Sequence, residues 1–198
     1  MSEFDILKQE ILDCRICKER FGFEPVPIFR GKKNAVIMQI SQAPSIRVQE
    51  CGLPFHDASG KKLKEEWYQI SEECFYDEDL FYITSIGHCY PGKASSGDKK
   101  PPYECAKRWL NREMEIVDND IYIVIGKIAA SYLFPGSDFT SLVFHDQQLN
   151  HKPAYVLPHP SPLNRKWCKD HPEFDESRMP YIRYQMKQAL QRATKNTP

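Results

Sequence analysis

The sequence predicts an α/β fold of three layers, α/β/α, around a central, mostly parallel four-stranded sheet. Three observations predict it. Four runs rich in β-branched and other apolar residues have the length of buried strands. Segments with apolar residues at helical spacing lie between them, as a parallel sheet covered by crossover helices requires. Three of the four runs lead directly into loops of polar residues, glycine and proline, the place where an open α/β sheet carries its ligand-binding groups.

Taken in order, the chain opens with MSEFDILKQEILDC, an acidic amphipathic helix that lacks the basic segment and apolar run of a signal peptide. The first strand run, Ala35–Ile40, leads into SQAPS, and Leu63, Trp67 and Ile70 then mark a helix face. The second run, Leu80–Ile86, leads into GHCYPG. Segment 90–102, with three Gly or Asp positions and three prolines, reads as loop and is the one conceivable domain boundary. Cys105, Trp109 and Ile116 mark the next helix, Ile121–Ile125 the third strand, and Ile128–Leu133 another helix. The fourth run, Ala154–Leu157, leads into HPSPLN, and Ile182, Met186 and Leu190 mark a final helix.

With 198 residues and 41% hydrophobic content the chain supports one core, so 1–198 is expected to form a single domain. Lys plus Arg is 27 and Asp plus Glu is 27, which removes any long-range pull toward polyanions; nucleic-acid binding must come from a local basic patch. No apolar run approaches a membrane span, and a soluble, cytoplasmic protein is expected. In a reducing compartment its seven cysteines do not form a disulfide framework. Cys14 and Cys17 form a CxxC pair, Cys89 ends a strand run, and Cys105 enters a helix behind two prolines. Four thiolates suit tetrahedral zinc or an iron–sulfur cluster, and spacing leaves both open. Cys51, Cys74 and Cys168 read as small buried hydrophobes.

The order CRIC, PVPIFRGKKNAVIMQISQAPS, CGLPFHDASGKKL, YITSIGHCYPG, Cys105 and HPSPLN resembles the iron–sulfur branch of the uracil-DNA glycosylase superfamily over roughly residues 10 to 167. SQAPS and GLPF stand at the separation of that branch's GEAPG and GxPF motifs, and Cys89 lies sixteen positions before Cys105, as in its CxPPG loop and last ligand. The resemblance implies a uracil-DNA glycosylase-like fold and a 4Fe–4S cluster on Cys14, Cys17, Cys89 and Cys105, with zinc the alternative. It implies a monomer that hydrolyses the N-glycosidic bond of a flipped-out deaminated base in single- or double-stranded DNA, uracil first, then hypoxanthine or xanthine. Phe55 matches the aromatic on which the base stacks, and His159 the donor to the departing base's oxygen. Gln42, Ala43 and Ser85 fall at the remaining base-contact positions. Leu163 matches a wedge inserted into the duplex, with Ser161, Asn164, Arg165 and Lys166 on the DNA around it.

Three positions depart from the branch. Gln42 stands where its motif has a carboxylate, and neither Gln42 nor Ala43 can act as a general base. Asp57 is the nearest acidic replacement, a catalytic candidate to hold water or the sugar cation beside Gln42. Ser85 replaces an asparagine that reads the uracil edge, which implies looser base selectivity; His88 reads as a surface histidine. These departures motivate a second reading, a DNA- or base-binding member with reduced turnover or one that traps the sugar covalently. A third is a purely structural zinc or cluster protein.

Overall fold

A computed structural model describes residues 1–95, 97–161 and 164–196. Its centre is a five-stranded sheet: β1 (Ile37–Ser41), β2 (Phe81–Ser85), β3 (Ile121–Ile125), β4 (Gln147–Leu149) and β5 (Lys152–Leu157), in the order β2-β1-β3-β5-β4. β1, β2, β3 and β5 run parallel, with Ile37 of β1 beside Phe81 on one flank and Ile121 on the other. Every residue of β1, β2 and β3 is buried, which is why they read as continuous apolar runs rather than alternating ones. Helices pack on both faces, and Ile182, Met186, Trp67 and Leu110 bury their side chains in the same core as the strands.

The expected four strands thus lack one member, the short β4, which pairs antiparallel with β5 at the sheet edge. The two are joined by Asn150 and His151, both at positive φ (48° and 61°), the backbone of a two-residue type I′ hairpin. Within segment 90–102, Lys93 bridges Asp98, and Ala94 N–H donates to the Gly97 carbonyl at 3.0 Å. The amino-terminal helix Glu3–Leu12 is started by a capping box between Ser2 and Asp5. Among the described residues no helix is long and apolar enough to cross a membrane.

From β1 the chain crosses to β2 on one side, then returns past β1 to β3 on the other, so the strand order reverses between β1 and β3. The carboxyl ends of two strands that feed connections to opposite sides leave a crevice between their loops. Pairing even continues beyond the strands: Ile86 N–H donates to the Ser41 carbonyl (2.9 Å) and Gly87 N–H to the Gln42 carbonyl (3.0 Å). These bonds hold SQAPS against the loop that follows β2.

Candidate functional site

A cleft of about 790 Å³ opens at this crevice. Gln42, Ala43, Phe55, Asp57, Ser85 and His159 all line it, together with Ser161 and Asn164. Arg165 and Lys166 lie exposed on the neighbouring helix Arg165–Asp170, where Lys166 Nζ pairs with Asp170 Oδ2 at 2.8 Å. Leu163 lies outside the described residues. Sequence reasoning missed Asp138, Thr140 and Trp167 on the far wall. Trp167 belongs to the quoted HPSPLNRKW segment, but only its hydrogen bond to Thr140 (3.3 Å) and its stacking on Phe144 (6.2 Å) reveal that it turns toward the cleft.

Each wall has a local cause. Phe55 sits at φ 56°, a strained conformation for an aromatic residue, with its ring edge-on to Phe75 at 6.1 Å. The turn closes only because residue 60 is glycine, since a Cβ there would stand 1.7 Å from the Phe55 carbonyl oxygen. Asp57 caps the next helix: its Oδ1 accepts the Gly60 N–H (3.0 Å), and its Oδ2 accepts the Ser45 hydroxyl (3.2 Å). Ser45 in turn caps the helix Ile46–Cys51, so the SQAPS and PFHDASG loops are tied through one carboxylate.

Ser85 is buried and donates its hydroxyl to the Gly87 carbonyl at 2.8 Å, leaving only lone pairs for a ligand. The His159 ring lies over Gly126, where a Cβ would approach Cδ2 to 3.4 Å. Its Nδ1 accepts the Ser161 N–H (3.2 Å), so the neutral ring carries its proton on Nε2. Burial lowers the His159 pKa, opposed by the Asp57 charge, and the ring is neutral at physiological pH. Asn164 Nδ2 donates to the His159 carbonyl (3.1 Å), fastening the loop that presents the ring.

The sequence profile of the uracil DNA glycosylase superfamily matches residues 28–183, which includes every wall of this cleft. The chain belongs to that superfamily. Among individual relatives, the type-4 uracil-DNA glycosylase of Sulfurisphaera tokodaii is 28% identical over 145 residues, 72% of this chain and 64% of that protein. The type-4 uracil-DNA glycosylase of Saccharolobus solfataricus is 29% identical over 135 residues (68% and 60%), and that of Archaeoglobus fulgidus 28% over 137 (68% and 65%). The chain therefore spans a little under two thirds of the length of the curated relatives it matches.

This superfamily member also gathers its cysteines. Cys14, Cys17 and Cys105 line a second pocket of about 490 Å³, and Cys89 lies within electrostatic reach of all three. Burial, reinforced by the Cys105 and Cys14 charges, pushes the Cys17 thiol up to about 11, and the same causes with Cys17 added push Cys89 up to about 12. Among the described residues no group of three or more His, Cys, Asp or Glu is spaced to hold a single metal ion. Four cysteine thiolates are the donor type that an iron–sulfur cluster and tetrahedral zinc both take. The three remaining cysteines do not follow expectation: Cys51 is exposed, and Cys74 and Cys168 are only partly buried. Cys51 ends the helix Ile46–Cys51, whereas Cys74 still packs against the core.

His88 corrects the sequence reading outright. It is 1% exposed and forms a buried network with Glu113, Thr84 and Tyr82. Full burial opposes a charge on the ring, but the Glu113 carboxylate and the Cys105 sulfur prevail and raise its pKa to about 10.

Proposed function

We propose that this chain is a DNA glycosylase that hydrolyses the N-glycosidic bond of uracil or another deaminated base and leaves an abasic site. One observation carries the reading: Phe55 and His159 line the same cleft at the sheet's switch point, with Asp57 close enough for its charge to act on His159. The extruded base stacks on Phe55, whose strained backbone presents the ring. His159 Nε2–H donates to the base oxygen on which negative charge grows as the bond breaks, which favours the transition state over the ground state. Asp57 keeps free lone pairs beside its two bonds and holds the attacking water or steadies the sugar cation.

Ser85 supplies the selectivity. With its proton given to Gly87, its oxygen accepts from a ring N–H, which uracil and hypoxanthine carry where cytosine and adenine present a lone pair. This criterion tells uracil from cytosine and hypoxanthine from adenine through one hydrogen bond instead of two; thymine and guanine carry the same ring N–H and pass it.

The second reading, a base-binding or sugar-trapping member with little turnover, is favoured by a specific observation: both Asp57 oxygens are already bonded, and Gln42 and Ala43 offer no base. Incubation with a uracil-containing single strand, followed by alkali, separates the two. Strand scission supports the hydrolase; binding without scission, for uracil, hypoxanthine and xanthine alike, supports the second reading.

Cys14, Cys17, Cys89 and Cys105 would hold a 4Fe–4S cluster, by the resemblance and by their shared neighbourhood. When bound, the cluster supplies a covalent cross-link between the amino-terminal helices, the loop after β2 and the helix Tyr103–Cys105. DNA is the proposed partner, with Arg165 and Lys166 on phosphates, and the chain is read as one cytoplasmic, monomeric domain.

A further inference from the structure

Between the cysteine site and the cleft lies a polar cluster inside an otherwise apolar core. Glu113, on the helix Asn111–Ile116, is fully buried, and a buried carboxylate is costly unless its acceptors are filled. They are filled: Oε1 accepts the Tyr82 hydroxyl at 2.8 Å, Oε2 accepts the Thr84 hydroxyl at 2.9 Å, and His88 Nε2 stands 3.0 Å from Oε2. Both hydroxyls spend their protons on Glu113, so His88 Nε2 is the donor in its own contact with the carboxylate.

The opposite edge of the same imidazole faces sulfur. His88 Nδ1 lies 3.6 Å from Cys105 Sγ, and the His88 backbone N–H donates to that sulfur at 3.4 Å. A ligating thiolate can only accept, so the ring donates there as well. The resulting chain, carboxylate to histidine to thiolate, parallels the carboxylate–histidine pairs that orient metal ligands. Its other end is Thr84, which lines the cleft.

We propose that His88 is a positioning residue for the cysteine site: oriented by Glu113, it fixes the Cys105 sulfur by hydrogen bonding and joins that sulfur to the floor of the base cleft. The inference rests on the iron–sulfur reading above. It explains why an ionisable pair is kept in the core although an apolar pair of equal volume would cost less to bury.

Two substitutions at one position separate positioning from packing. In His88→Gln the amide nitrogen takes the place of Nε2, satisfying Glu113 but leaving the sulfur without its side-chain donor. In His88→Asn the amide nitrogen takes the place of Nδ1, keeping the donor to sulfur but leaving Glu113 one partner short. Full-length protein, purified without oxygen, is assayed for iron per chain, for the rate of iron release to a chelator, and for its melting midpoint. His88→Gln is expected to melt near wild type yet release iron about 10- to 100-fold faster, the usual cost of losing an outer-shell partner. His88→Asn is expected to melt lower but release iron more slowly than the Gln variant. Iron release that follows the melting order instead, or that neither variant changes, overturns the proposal while leaving the cluster reading intact. A wild type that carries no iron removes the cluster reading and this inference together.

Discussion

His159 is the residue whose chemistry is most constrained by its surroundings. Ser161 N–H fixes its tautomer, Gly126 makes room for the ring, and burial keeps it neutral. His159→Ala is expected to lower single-turnover cleavage by about 100- to 1,000-fold, as loss of one oxyanion donor does, with little change in DNA affinity. Because the folded-state pKa lies below the ordinary 6.5, the ring stays neutral until the pH falls through that lowered value. Protonation then sets an Nδ1–H against the Ser161 N–H and breaks the bond that aims the ring. Cleavage should therefore be flat around neutrality and fall only below pH 6.5, and the residual activity of His159→Gln should lack that acid limb. The unfolded chain takes up this proton first, so the His159 contribution to stability is present above pH 6.5 and is lost as the pH falls. Asp57 separates differently. Asp57→Asn keeps an N-cap and should leave the melting midpoint nearly unchanged, whereas Asp57→Ala should cost about 1 kcal/mol. If Asp57 holds the water, both lose cleavage; full rate in the Asn variant would assign the water to Gln42 or to backbone.

At the scale of elements, the turn from Gly52 to Gly60 is where backbone and function meet. Phe55 holds a positive φ only because the chain at Gly60 approaches its carbonyl more closely than any side chain allows. Gly60→Ala must displace that carbonyl, turning Phe55 out of the cleft, and is expected to weaken binding of a uracil-containing strand by about 1 to 3 kcal/mol, the range for lost base stacking. Gly52→Ala is the control, with φ +70° but nothing within 4 Å of the added carbon, so it should cost local strain of about 1 kcal/mol in stability and leave binding alone. Equal binding by the Gly60 variant and wild type would mean that Phe55 does not carry the stacking. The same scale explains what was legible in the sequence. β1, β2 and β3 were readable because burial makes them rich in β-branched and apolar residues, despite the buried Gln39, Thr84 and Ser85 within the runs. β4 was not, because Gln147–Leu149 is mostly polar and its hairpin turns on Asn150 and His151 rather than on a glycine. The cleft's aromatic and histidine could be placed from motif register alone. His88 could not: its burial depends on Glu113, twenty-five residues away and on another element.

For the whole molecule, 27 basic and 27 acidic residues give no net field, so attraction to DNA must be local. On the proposed reading, the cationic groups available to DNA include Lys93 and Lys127, which line the cleft, and Arg165 and Lys166, exposed beside it. Lys166 is held by Asp170, but an exposed pair of this kind contributes little and yields readily to a phosphate. If each of the four neutralises one phosphate, the logarithm of the binding constant should fall against the logarithm of salt concentration with a slope of about −2.8 on a single strand and about −3.6 on duplex. Replacing Arg165 or Lys166 by Ala should flatten the slope by a little under one unit each, weakening binding alike for uracil-containing and undamaged strands, because phosphate contacts carry no base information. Phe55→Ala should do the reverse, leaving the slope unchanged while erasing the preference for the uracil strand. Slopes measured for these three variants therefore test the division between phosphate contacts at the rim and base stacking in the cleft. An unaltered slope in the Arg165→Ala, Lys166→Ala double variant would move the DNA path off this rim, toward the other basic edge, where Arg20, Lys107 and Arg108 border the cysteine pocket.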